Sequence, residues 1–145
     1  AKTAGLSEVE VITLASIVDE ETDNEAEMPK VAGMYINRLH LNMPLQADPT
    51  IKFATKNFTA HRIYQKWLTV DSPYNTYKYR GLPPGPIRIP SIAAINAVLN
   101  YVHHDYIYMC AKEDFSGTHN FAKTYEEHQV NAAKYAKALN EHGIN

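Results

Sequence analysis

The chain has 145 residues, 45% of them hydrophobic, with a net charge of -2 and a pI near 6.4. That length suits one domain able to bury about two-thirds of its unfolded surface. Its 14 basic residues are scattered among 16 acidic ones, which leaves no electrostatic footprint for nucleic acid or an anionic membrane, and no run reaches the roughly 18 apolar residues of a membrane span.

In chain order, Ala1 to Gly5 read as a cut into a longer protein, so the lack of a leader leaves the compartment open. Ser7 to Thr22 (SEVEVITLASIVDEET) predicts an amphipathic helix opened by a capping box, Ser7 with Glu10. At about 100° per residue, Val11, Leu14, Ile17 and Val18 form one stripe, and Glu21 falls within roughly 20° of its centre. Asp19 and Glu20 lie more than about 100° from that centre, so of three successive acids only Glu21 is expected to be withdrawn from water.

A second helix is signalled by Asn24 with Glu27 and by Pro29 in the first turn, with Val31, Ala32, Tyr35, Ile36 and Leu39 inward and an end near Asn42. The proline-rich stretch from Met43 to Pro90 reads as extended segments and ordered loops around a short helix near Ala60 to Lys66. Ser91 caps a third helix carrying Ile92, Ile95, Val98, Leu99 and Val102. Tyr106 to Ala111 (YIYMCA) predicts a strand in which Cys110, the single cysteine, is a buried inert thiol. Ser116-Gly117 turns into a short strand at His119 to Phe121, and Thr124 with Glu127 opens a last helix burying Tyr125, Ala132, Tyr135 and Leu139. The whole is one helix-rich α+β domain over residues 1–145, with a small antiparallel sheet.

Glu21 is the candidate for chemistry. Desolvation disfavours a carboxylate, and a Glu raised to about 6 is protonated in about one molecule in ten at pH 7, against about one in 500 for an ordinary one. Such a group can donate a proton to a glycosidic oxygen. The competing reading is a helix-end Glu that bends to solvent or pairs with Arg or Lys, as most do.

Three loops add polar groups. In LQADPT (Leu45 to Thr50) an extended backbone would send Gln46, Asp48 and Thr50 to one side. SPYNTY (Ser72 to Tyr77) sets Tyr74 and Tyr77 around Asn75, a mixture suited to a sugar ring and its acetamido group. GLPPGPI (Gly81 to Ile87) is stiff enough to keep a groove preorganised. Each motif alone is more simply a turn or a connection. His103, His104, His119 and His128 have no zinc-ligand spacing, Ser16 lacks a nucleophile elbow, and no phosphate loop is present; neither metal nor cofactor is expected.

Taken together, LASIVDEET, YINRL, LQADPT, YNTY, GLPPGPI and the G-x-H-x-F of Gly117 to Phe121 resemble the YceG-like family, the MltG-type endolytic murein transglycosylases, in order over nearly the whole chain. The resemblance implies a lysozyme-like helix whose catalytic Glu maps onto Glu21, with Asp19 standing where the family commonly has Glu. It implies Asn37, Gln46, Asp48, Tyr74, Asn75, Tyr77 and His119 as groove residues. The implied reaction is lytic cleavage of the MurNAc-GlcNAc bond with formation of a 1,6-anhydro end, Glu21 acting first as acid and then as base. The implied partners are peptidoglycan strands and cell-wall synthases. The implied location is the extracytoplasmic, periplasmic face of the bacterial inner membrane, through an N-terminal anchor that, like a LysM-like module, is absent from this chain. The alternative is a non-catalytic peptidoglycan-binding or scaffold domain.

Overall fold

The computed structural model describes residues 5–56, 65–112, 114 and 116–141. Its elements are α1 (Glu8–Glu21), α2 (Met28–His40), α3 (Asp48–Thr55), a 3-10 turn (Gln65–Trp67), α4 (Ile92–Leu99), β1 (Tyr108–Ala111), β2 (His119–Ala122) and α5 (Tyr125–Glu141). The two strands form one antiparallel hairpin in which Tyr108 pairs with Ala122 and Ala111 with His119. This is the expected α+β arrangement.

Helices α1, α2 and α4 make the core. Leu14, Ile17 and Val18 of the first meet Val31, Tyr35 and Ile36 of the second and Ala94, Ala97 and Val98 of the fourth. The capping signals were accurate where the cap is local: Ser7 and Glu10 exchange both bonds of the box, and Ser91 Oγ accepts from Ala94 N–H. Gly33 allows α2 to meet the segment after α4 closely, since a Cβ there would stand 2.2 Å from Val102 O.

Several expectations are corrected. Asp19 is as withdrawn from water as any acid of α1, at 9% exposure. Its Oδ2 accepts from Ser91 N–H at 2.7 Å, so it ties α1 to the start of α4. The one-stripe argument failed because α1 is enclosed on more than one side: the 81–91 segment covers its far flank, with Ile87 N–H donating to Ser16 Oγ at 3.0 Å. Asn24 does not cap α2, whose first residue is Met28 after a turn. LQADPT is not extended: Gln46 takes a left-handed φ of 50°, and Asp48 and Pro49 begin α3. The short helix expected near residues 60–66 lies mostly outside the described residues. Ile92, Leu99, Val102 and Tyr125 are exposed, and Cys110 is half-buried. No described helix is long and apolar enough to cross a membrane.

Candidate active site

The C-terminal turn of α1, one face of α2, the start of α3, Tyr77 and the β hairpin enclose a cleft of about 390 Å³. Glu21 ends α1 and reaches into it with its side chain 14% exposed. Tyr35, one of the largest fully buried side chains, donates its hydroxyl to Glu21 Oε1 at 2.6 Å. The hairpin comes to Glu21 because its turn docks on the end of α1, where Thr22 Oγ1 donates to Gly117 O at 3.2 Å. That contact brings His119 Nε2 to 3.9 Å from Glu21 Oε2. On the other side of the ring, Nδ1 lies 3.0 Å from Glu27 Oε2.

Asp48 stands across the cleft from this group, accepting from the Tyr77 hydroxyl at 2.6 Å, with Lys52 one turn further along α3. It keeps solvent access while the cleft walls crowd it. Burial holds the Glu21 carboxyl up at about 7, reinforced by the negative charge of Asp48. His119, the Tyr35 hydroxyl and Lys52 pull the other way and do not cancel the desolvation. Asp48 is itself raised, again by desolvation first, against the Tyr77 hydrogen bond and Lys52. Both tyrosines are raised, Tyr35 far above its ordinary value, so each hydroxyl keeps its proton and remains a donor. At about 7, roughly half of the molecules at neutral pH carry the Glu21 proton, against about one in 500 for an ordinary Glu.

Of the residues named from sequence, the cleft gathers Glu21, Gln46, Asp48, Tyr77 and His119. Tyr74 stands apart, its ring 4.8 Å from that of Phe53. Asn75 is fully buried and spent on the fold: Nδ2 donates to Leu68 O and Val70 O, while Oδ1 accepts from the amides of Tyr77 and Lys78. Asn37 is likewise committed, donating to His104 O at 2.7 Å and Tyr106 O at 2.9 Å. Thr50 hydrogen-bonds Ala47 O and Thr76 below the cleft. Both asparagines thus organise loops rather than face a ligand. His104 is held by Lys30 O and the Tyr106 amide.

Sequence reasoning missed Tyr35, Arg38, Lys52 and Glu27. Tyr35 and Arg38 were hidden in the apolar face of α2, although a buried tyrosine hydroxyl generally needs a partner. Lys52 sits four residues after Asp48, a spacing that carries meaning only once α3 is recognised as a helix. Arg38 joins the cleft wall while donating to Ile107 O and Pro44 O.

The profile of the YceG-like family matches residues 1–134. The chain is 40% identical over 131 residues to an endolytic murein transglycosylase of Bacillus subtilis strain 168, covering 90% of this chain and 36% of that protein. It is 33% identical over 141 residues to an endolytic murein transglycosylase of Streptococcus pneumoniae serotype 2 strain D39, covering 94% of this chain and 25% of the other. A crystal structure of a putative YceG-like protein from Listeria monocytogenes superposes with a TM-score of 0.79 at 38% identity, over 86% of this chain and 40% of that one. The chain therefore spans about a third or less of the length of these two curated relatives, and by sequence and by fold it belongs to the YceG-like family.

Proposed function

We propose that this chain cleaves the glycan strands of peptidoglycan as a lytic transglycosylase, with Glu21 as the single acid and base. The observation that carries the reading is a carboxyl held at about 7 by burial at the wall of a polar cleft. The relatives named endolytic murein transglycosylases support the substrate class.

Tyr35 occupies Oε1 and leaves Oε2 to carry the proton. Protonated Glu21 gives that proton to the oxygen joining MurNAc C1 to GlcNAc, and the C1–O bond breaks. Positive charge then develops on C1 and the ring oxygen, and Asp48, on the same cleft, offers a carboxylate to it. The Glu21 carboxylate takes the proton from the MurNAc 6-hydroxyl as O6 bonds to C1. Glu21 ends as it began, no water is consumed, and the product is a 1,6-anhydro sugar. A second carboxylate at nucleophile or water-activating distance is therefore unnecessary. Gln46, exposed at the rim, has an amide suited to the N-acetyl group. A peptidoglycan substrate sets the site of action on the extracytoplasmic side of the bacterial membrane, where cell-wall synthases would be neighbours.

Mass spectrometry of fragments released from purified sacculi tests the chemistry. Anhydro ends, lighter by one water than reducing ends, are expected; reducing ends would make the protein a hydrolase with Asp48 as its second carboxylate. The rate is expected to fall as pH rises through about 7, where Glu21 loses its proton; a rate that keeps rising beyond that point would contradict the acid role.

A further inference from the structure

Glu27 precedes α2 and its side chain takes no part in capping that helix. Its carboxylate is instead turned to the hairpin, 9% exposed, where Oε1 accepts from His119 N–H at 2.6 Å and Oε2 lies 3.0 Å from His119 Nδ1. The Thr22 hydroxyl shares its one proton between Oε2, at 3.2 Å, and Gly117 O. Two contacts from one carboxylate to the main chain and ring of the same histidine fix both its position and its rotation. Because a carboxylate only accepts, the ring nitrogen facing it must be the protonated one. Nε2 is then the bare nitrogen of the neutral ring, and it points at Oε2 of Glu21, the oxygen that the Tyr35 hydroxyl leaves free.

We propose that Glu27 is a positioning residue of the active site, holding His119 as the Nδ1–H tautomer so that a bare Nε2 is presented to the working oxygen of Glu21. At 3.9 Å Nε2 makes no hydrogen bond to Oε2; what the neutral ring does there is leave no cation beside that oxygen to draw off its proton. The other groups facing Glu21 are Tyr35 from α2, and Asp48 and Lys52 from α3; those facing His119 are Glu21 and Glu27. None of them other than Glu27 can choose the tautomer, since none touches Nδ1 among the described contacts. The meaning of the device rests on Glu21 being the acid; its existence does not.

The test is therefore read in two ways on the same chain. In histidine-labelled protein at pH above 8, ¹⁵N NMR is expected to show His119 with a proton on Nδ1 and none on Nε2. Glu27→Ala is expected to return it to the Nε2–H form that free histidine favours. On sacculi, Glu27→Ala is expected to lower kcat about 10- to 100-fold with little change in KM, and Glu27→Gln, which keeps an acceptor oxygen, to recover part of the loss. An Nε2–H tautomer in the unaltered protein overturns the proposal, as does a tautomer indifferent to Glu27→Ala in a variant whose circular dichroism matches the parent. If Glu27→Ala does not fold, the tautomer of the unaltered protein decides alone. Absence of cleavage with the Nδ1–H form present would instead count against the enzymatic reading and leave the positioning intact.

Discussion

A carboxyl and an amide can both be read as binding groups in a sequence, and the structure separates them by what their atoms already touch. Glu21 meets one hydroxyl and an open cleft, whereas Asn75 has two donor and two acceptor contacts within the fold. Glu21 was legible because helical periodicity placed an acid on an apolar stripe. The fate of Asn75 was not, since its partners are backbone atoms that only a folded loop assembles. Asn75→Ala is expected to cost about 2–3 kcal/mol in chemical denaturation, because it strands buried polar groups, and to leave the KM of the folded fraction unchanged. For Glu21 the linkage has a definite sign. Its carboxyl is raised from 4.5 to about 7 in the folded chain, so ionising it weakens the fold, with no cost below about pH 4.5 and the full cost above about 7. Glu21→Gln is thus expected to melt higher than the parent at pH 8, by ~1–3 kcal/mol of stability, and to match it near pH 4. A variant less stable than the parent at pH 8 would mean that Glu21 ionises without penalty.

At the scale of elements, caps and periodicity mark four of the five α-helices among the described residues, and the errors come from tertiary surroundings. Periodicity makes α1 a half-exposed helix, and the 81–91 segment that encloses its second flank turns Asp19 from a solvated acid into the tie between α1 and α4. α3 went unseen because its eight residues carry no side-chain cap; its Asp48-Pro49 start is the only local mark. Loss of a cap and overpacking of a close contact have different sizes. Ser91→Ala is expected to lower stability by about 1 kcal/mol. Gly33→Ala is expected to cost more: its Cβ would meet backbone at Val102 O, and overpacking of that kind costs ~1–3 kcal/mol, outweighing the ~1 kcal/mol gained in helix propensity. Urea titrations of both variants check the order; a Gly33→Ala protein as stable as its parent would show that α2 and the 102–104 segment can part freely.

At the scale of the whole molecule, the cleft is a convergence that no single segment announces. Glu21 from the end of α1, Tyr35 from the middle of α2, Asp48 from the start of α3 and His119 from the hairpin lie up to about a hundred positions apart in the chain and meet because α2 and α3 both pack on α1 while Thr22 anchors the hairpin turn. Sequence reasoning named three of those four, and missed the tyrosine because it reads as core. The proposed mechanism asks one acid, Glu21, to do both halves of the reaction. Soluble fragments released from purified sacculi by the parent and by Glu21→Gln, measured side by side with circular dichroism to establish equal folding, test this most directly. The parent is expected to release anhydro-ended fragments and the folded variant essentially none; equal release by both would contradict the assignment of Glu21 and with it the mechanism.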